Sequence, residues 1–143
     1  MKKVTTITIT LIATVLFAFG INKTDQASKF LNSLNKEQLA KTQFHFASES
    51  KYVWHYLPAA TFSRPGISLA ELNKNQKELL FQLLQTSLSK AGYKKTKQIM
   101  SLENVLAEMS GNPDYRDPEK YYTAFYGNPE KDSLWSWSFQ GHH

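Results

Sequence analysis

The chain has 143 residues, of which 41% are hydrophobic, 13% aromatic and 20% charged. This apolar content is enough for one domain with a buried core, and so low a charged fraction excludes a disordered chain. The sequence contains no cysteine. Disulfides, thiolate metal sites, cysteine nucleophiles and a lipid anchor on an acylated cysteine are therefore excluded.

The N-terminus has the pattern of a secretory signal peptide. The basic start Met1-Lys2-Lys3 precedes an uncharged run over 4–19, which ends in Ala18-Phe19-Gly20, with small residues where a signal peptidase reads them. We therefore expect cleavage after residue 20 and export of residues 21–143, to the periplasm or the medium. An uncleaved N-terminal membrane anchor is the alternative, although the run is short for a span and contains several threonines.

The charge of the mature chain is modest. Removal of residues 1–20 lowers the formal net charge from +5 to +3, because two lysines are lost. A charge this small makes nucleic acid an unlikely partner. The basic cluster of Lys94, Lys95 and Lys97 beside Tyr93 could hold a phosphate, although lysines near a helix end more often form a solvated face.

Hydrophobic spacing predicts two short helices at the start of the mature chain, followed by extended segments. The first helix covers 24–34, and the second starts at a capping box formed by Asn35 and Gln38. Alternating aromatic residues predict a short strand over 44–46 and a second extended segment over 52–56.

The clearest helical segments follow. A capping box of Ser68 and Glu71 predicts the start of a helix that ends near residue 90, with Gly92 as its left-handed cap. A second helix is predicted over 95–109, closed by Gly111, with a buried face made of Ile99, Leu102, Leu106 and Met109. Because the link between them is very short, we expect the two helices to pack as a helical hairpin.

The last third of the chain is rich in aromatic residues and predicts β structure. Trp135, Trp137 and Phe139 alternate with polar residues, as in a strand with one buried face. A short helix could start at 117–119. The predicted fold class is thus α+β, with helices first and a β-rich, aromatic C-terminal part.

The position of this strand pattern predicts an incomplete domain. The chain stops at His143, directly after the pattern, and no partner strand follows. An edge of this kind would expose unpaired backbone and half of an apolar face. We therefore expect residues 21–143 to be the N-terminal portion of one longer α+β domain.

Short motifs from about Phe30 to His143 occur in a distinctive order. They are Arg64-Pro65-Gly66, Leu88-Ser89, Gly92-Tyr93, Ile99-Met100, Leu102-Glu103, Arg116-Asp117-Pro118, Tyr121 or Tyr122, Gly127 with Pro129, and Trp135-x-Trp137-x-Phe139-x-Gly141-His142-His143. Together they resemble the bacterial family called domain of unknown function 3500. Ser136 and Gln140 depart from the glycine and the acidic residue usual there. The resemblance implies an exported protein of unassigned function that continues past the histidine pair, and it supplies no reaction.

His142 and His143 are the most suggestive residues for chemistry. Neighbouring residues on a strand point to opposite faces, so the two imidazoles do not easily bind one metal ion unless the strand ends there. Either one could be a zinc or copper ligand or a general base. The ordinary alternative is a structural histidine or a frayed terminus.

Three further charged residues are candidates for a site. Glu103 could be an inward carboxylate that acts as an acid or base, or that accepts a hydrogen bond from Arg64 or Arg116, although a solvent-facing helix residue is the commoner case. The two arginines lie in proline-flanked loops, where each could clamp a substrate carboxylate. A structural ion pair is the ordinary interpretation for each.

Two functions from different classes follow. The first is an exported, metal-assisted hydrolase-type enzyme, in which a divalent metal would be the cofactor, His142 or His143 the ligand or base, Glu103 a carboxylate, and Arg64 or Arg116 an anion clamp for a small molecule. The second is a non-catalytic module that binds an extracellular glycan or polymer through the aromatic residues of 115–139. Solvent exposure of Trp135, Tyr122 or Tyr126 would favour the module, whereas burial would place these rings in the core.

Overall fold

The computed structural model describes residues 22–58 and 61–141. Within these ranges the chain forms four α-helices, two short 3₁₀ helices and a four-stranded sheet, which confirms the predicted α+β class. The signal peptide or anchor predicted over 1–20 and the pair His142 and His143 lie outside the described residues. None of the helices in the described part of the chain is long and apolar enough to cross a membrane.

The elements follow one another along the chain with short connections. In order they are α1 (Lys23–Asn32), α2 (Lys36–Thr42), β1 (Gln43–Phe44), a 3₁₀ helix (Glu49–Tyr52), β2 (Ile67–Ser68), a second 3₁₀ helix (Leu69–Glu71), α3 (Lys74–Ser87), α4 (Lys90–Ser110), β3 (Tyr122–Tyr126) and β4 (Ser136–Gln140).

Strand β3 is the centre of the sheet. β4 pairs with it antiparallel along all five residues, from Tyr122 opposite Gln140 to Tyr126 opposite Ser136. β1 runs parallel beside the second half of β3 and β2 runs antiparallel beside the first half, so the two share the other edge. The partner of the predicted aromatic strand therefore precedes it in the chain, whereas a partner after it was expected.

The core lies between the sheet and two helices. α1 and α3 pack against each other and cover one face of the sheet, where Phe30 of α1 stacks on Phe125 of β3 with ring centroids 5.6 Å apart. Trp135, Trp137 and Phe139 pack against the same cluster, as their alternation predicted. Full burial of one such large side chain contributes about 1.5–3 kcal/mol.

The N-terminal helices confirm the sequence prediction, but the start of α3 differs. Asn35 and Gln38 form the predicted capping box of α2. The capping box of Ser68 and Glu71 is also present, yet it closes only a 3₁₀ turn, because Leu72 returns to an extended conformation. A second capping box, of Asn73 with Gln76, then starts α3.

The predicted boundary between α3 and α4 is wrong. α3 ends at Ser87, and the side chain of Ser89 accepts a hydrogen bond from the backbone N–H of Gly92 at 3.0 Å, so that Gly92 lies inside the first turn of α4. The serine cap decides the boundary because it satisfies a free N–H of the new helix. Gly111 ends α4 with φ of +63°, as predicted.

The predicted buried face of α4 is also wrong. Met100 and Glu103 are its buried residues, whereas Ile99, Leu102 and Met109 are 50%, 53% and 79% exposed. The two helices are joined by the short link that was predicted, but they do not pack along each other as a hairpin, because α3 packs along α1. The apolar stripe of α4 therefore faces solvent in the described part of the chain.

The extended segments are shorter than predicted. Of the predicted strand over 44–46, only Phe44 belongs to β1. The segment over 52–56 is not a strand: it begins at the end of the first 3₁₀ helix and continues without regular structure. Residues 117–119 form a turn, in which the carbonyl of Asp117 accepts from the N–H of Lys120, instead of a short helix.

Candidate functional site

The end of strand β4 is built around Gly141. A Cβ atom at this position would lie 2.2 Å from Cε1 of Tyr121, so glycine is required for the tyrosine ring to pack here. That ring also stacks on Phe139, with centroids 5.5 Å apart. The backbone that leads into His142 and His143 is therefore held by Tyr121 at its last described residue.

Glu103 is an inward carboxylate, not the solvent-facing residue that is commoner in helices. It is 6% exposed, and its Oε2 lies 3.8 Å from Nη1 of Arg116. Oε2 has no hydrogen-bond partner among the described residues. Burial, and then the charge of Glu103, raise the pKa of the Tyr121 phenol. The carboxylate is thus electrostatically linked to the ring that packs on Gly141.

Arg64 organises a loop. Its guanidinium donates to the carbonyl of Phe62 at 3.0 Å, to that of His55 at 3.0 Å and to that of Leu57. The side chain is buried, and these three carbonyls occupy its planar fork. Arg116, by contrast, forms the ion pair with Glu103 that was the ordinary expectation for an arginine.

The segment held by Arg64 carries three exposed aromatic side chains, and we call residues 52–56 the aromatic loop. Tyr52, Trp54 and Tyr56 are 69%, 74% and 72% exposed. Between them, His55 stacks on Phe62 with ring centroids 4.3 Å apart. Large exposed rings grouped in this way are unusual on a protein surface and often mark a binding site.

The aromatic loop and the end of β4 enclose a small cleft of about 140 Å³. Arg64, Gln140 and Gly141 line it beside Trp54 and Tyr56. Oε1 of Gln140 is buried and has no hydrogen-bond partner among the described residues. The cleft therefore combines exposed rings with one polar side chain, that of Gln140.

A larger cleft of about 530 Å³ lies next to the same strand end. Tyr121, Trp137, Leu88 and Ile99 line it, and Phe139 and Gly141 form a wall common to both clefts. The end of β4 thus separates a mostly apolar space beside α3 and α4 from the small cleft of the aromatic loop.

The structure brings several of the predicted site residues to this strand end. Arg64 lines the small cleft, and Glu103, which forms the ion pair with Arg116, acts on Tyr121. Trp54, Tyr121, Gln140 and Gly141 were not among the predicted site residues. Gln140 could have been noticed, because it stands where the resembling family often has an acidic residue.

The predicted metal site rests on residues that the structure does not describe. Among residues 22–58 and 61–141 no group of three or more His, Asp or Glu side chains could hold a metal ion. A role for His142 or His143 as a metal ligand or base remains a prediction.

The aromatic residues of 115–139 were expected either to form an exposed binding row or to belong to the core. Tyr126 is 2% exposed, and Tyr122 and Trp135 are half-buried. Burial was the outcome expected if the rings of 115–139 belong to the core, so these residues do not form an exposed binding row.

The fold and the strand end define an α+β protein whose candidate ligand site lies where the aromatic loop meets β4. The chain belongs to the family described as Protein of unknown function (DUF3500), whose model matches residues 21–143. The resemblance inferred from the sequence motifs is thereby confirmed. No curated protein and no solved structure matches the chain.

Proposed function

We propose that this chain is an exported carbohydrate-binding protein, and that the aromatic loop and the small cleft beside it form its ligand site. The observation that carries the proposal is the grouping of Tyr52, Trp54 and Tyr56, each about 70% exposed, next to the end of β4. Flat aromatic rings offer an apolar surface on which a sugar face can stack.

The backbone of the aromatic loop is suited to binding because it is already ordered. The buried guanidinium of Arg64 ties together three carbonyls of residues 55–62, and His55 packs on Phe62. A ligand that stacks on Trp54 therefore does not have to order this backbone. Preorganisation of this kind improves affinity by lowering the entropy cost of binding.

The polar group in the cleft suits a hydroxyl-rich ligand. The side-chain amide of Gln140 lines the cleft, and an amide can both donate a hydrogen bond to a sugar hydroxyl and accept one from it. A ligand site that combines apolar surface with a few placed polar groups has the usual composition of a small-molecule site.

Binding to a panel of immobilised neutral glycans, followed by calorimetry with each one retained, tests the proposal. We expect Trp54→Ala to weaken binding by about tenfold or more, which corresponds to a stacking contribution above about 1.4 kcal/mol. Met109→Ala is the matched control, because it removes an equally exposed apolar side chain from α4. Absence of binding to any glycan, or equal binding by Trp54→Ala and the parent chain, overturns the proposal.

Export is part of the same proposal. The positive start, the uncharged run and the small residues before position 21 support it. Mass spectrometry of the chain recovered from the periplasm or the medium of its host should show an N-terminus at Ile21. A chain that keeps residues 1–20 and sediments with the membrane would instead support the anchor.

A metal-assisted hydrolase is the second candidate, and one observation favours it. Glu103 is a buried carboxylate with an unsatisfied oxygen, and it acts on the tyrosine that packs against Gly141, directly before His142. His142 or His143 would supply a metal ligand or base, and Arg116 would hold the side chain of Glu103 in place through their ion pair. Metal analysis of the purified chain and of His142→Ala and His143→Ala tests this function. Equal metal content in all three chains would refute it.

A further inference from the structure

Positive charge is concentrated in the first half of α4. No acidic residue occurs between positions 79 and 102, and this stretch contains four lysines. The rest of residues 21–143 carries 11 basic and 12 acidic groups, a formal charge of −1. The whole positive excess of the mature chain therefore lies in this one stretch.

Three of these lysines line one groove. Lys90, Lys94 and Lys97, together with Gln85, Tyr93 and Gln98, surround a space of about 500 Å³ between the end of α3 and the first half of α4, which we call the basic groove. The lysines are four and three residues apart on the helix, so their attachment points rise by about 6 and 4.5 Å along one side of it. The three side chains therefore leave the helix on the same side, which we call the lysine row.

The charges of this row are not neutralised within the described chain. None of the ion pairs among residues 22–58 and 61–141 includes Lys90, Lys94 or Lys97. Lys97 instead lies over the ring of Phe81, with Nζ 3.9 Å from the centroid, and this contact fixes its position.

The first lysine of the row also stands at the unfavourable end of its helix. Lys90 is in the first turn of α4, near the positive end of the helix dipole, where carboxylates are stabilising and lysines are not. The first turn of α4 contains no acidic residue. A bound anion would relieve both the repulsion among the lysines and the repulsion of Lys90 by the dipole.

We infer that the basic groove binds an acidic polysaccharide. The repeated positive charges fit a chain with repeated carboxylate or sulfate groups, and the amides of Gln85 and Gln98 and the phenol of Tyr93 can pair with its hydroxyls. The choice of a polysaccharide among polyanions rests on the proposed function, whereas the need for an anion rests on the groove alone. The groove is a second site, separate from the aromatic loop.

Binding of the full chain to polygalacturonate at low and at physiological salt tests the inference. We expect Lys90→Glu/Lys94→Glu to weaken binding by at least about tenfold, and salt to weaken binding by the parent chain. Lys36→Glu/Lys74→Glu is the matched control, because it makes the same charge change at two exposed helix starts outside the groove and should bind like the parent. Circular dichroism confirms that both variants are folded.

Each outcome decides the inference. Failure of polygalacturonate to bind at low salt, or equal loss in the groove variant and the control variant, overturns it. Groove-dependent binding to a single-stranded oligonucleotide or to phosphatidylglycerol vesicles, without binding to polygalacturonate, overturns the assignment to a polysaccharide. Trp54→Ala reports on neutral glycans and the lysine variant on acidic ones, so failure of the proposed function and failure of this inference are distinguishable.

Discussion

Two segments of this chain have the same aromatic pattern and opposite environments. Tyr52, Trp54 and Tyr56 alternate with other residues just as Trp135, Trp137 and Phe139 do. The second set lies in β4 and just before it and packs on the core. The first set is exposed, with Tyr52 at the end of a 3₁₀ helix and the other two rings on the irregular segment after it.

The difference shows that alternation alone does not make a strand. Residues 136–140 have a partner, because β3 presents a free edge along its whole length. The aromatic loop follows a 3₁₀ turn capped by Ser48 and precedes Pro58, and β1 and β2 already occupy the other edge of β3. A strand needs both the pattern and an unoccupied edge to pair with.

The largest expected effect on stability comes from the buried rings that pack between the sheet and α1. Phe125 contacts Phe30, Trp135 and Trp137 and is fully buried, so Phe125→Ala should lower the free energy of unfolding by about 3–5 kcal/mol. Urea denaturation followed by far-ultraviolet circular dichroism measures this. A loss below about 1 kcal/mol would show that the rings of β3 and β4 are not the core.

A smaller effect is expected where the loop is held in place. Arg64→Met leaves three carbonyls of the loop region without their charged donor, and should cost about 1–3 kcal/mol. Limited proteolysis should then cut residues 52–58 faster, with α3 and β3 still protected. Arg116→Met removes the other arginine and should leave the loop as resistant as in the parent chain. Equal cleavage of both variants would contradict the role given to Arg64.

Much of the fold could be predicted because it depends on neighbours in sequence. The capping box of Asn35 and Gln38 acts over three residues, and the alternation at 135–139 is visible without a partner. Strand β3 was missed because it is central, with Thr123, Ala124 and Phe125 all buried, so that no alternation marks it.

The wrong predictions concern features that depend on contacts with other parts of the chain. Ser89 can start a helix and Gly92 can end one, so both are compatible with a boundary between α3 and α4. Only the observed hydrogen bond between them shows that Ser89 caps the start of α4. Which face of α4 is buried depends on the elements that pack against it. The apolar stripe therefore predicted the wrong buried face, and Glu103 was not predicted to be buried. The candidate site was only partly predictable, because exposure of Trp54 requires knowledge of which edges of the sheet are occupied.

A titration of Tyr121 tests whether Glu103 acts on the buried tyrosine at the end of β4. Burial and the Glu103 charge raise the pKa of Tyr121 above its usual value of 10.0, so its neutral form stabilises the folded chain below about pH 10, and this contribution is lost as the pH rises through the folded-state pKa. Glu103→Gln should lower that pKa while burial keeps it above 10.0. Absorbance at 295 nm, with Tyr121→Phe as the reference, measures the shift. If the pKa of Tyr121 stayed unchanged in Glu103→Gln, Glu103 would have no electrostatic effect on the tyrosine that packs at the end of β4.

The smallest expected effect on stability is that of removing an exposed ring from the aromatic loop. Trp54 is 74% exposed and buries little apolar surface, so Trp54→Ala should change the free energy of unfolding by less than about 0.5 kcal/mol. Trp137→Ala is the counterpart from the other segment and should cost several times more, because its ring packs on Phe125 with centroids 6.0 Å apart. Urea denaturation of both variants checks the pair. If Trp54→Ala destabilised the chain as much as Trp137→Ala, its ring would belong to the packing of the fold, and loss of glycan binding in that variant would no longer identify a ligand contact.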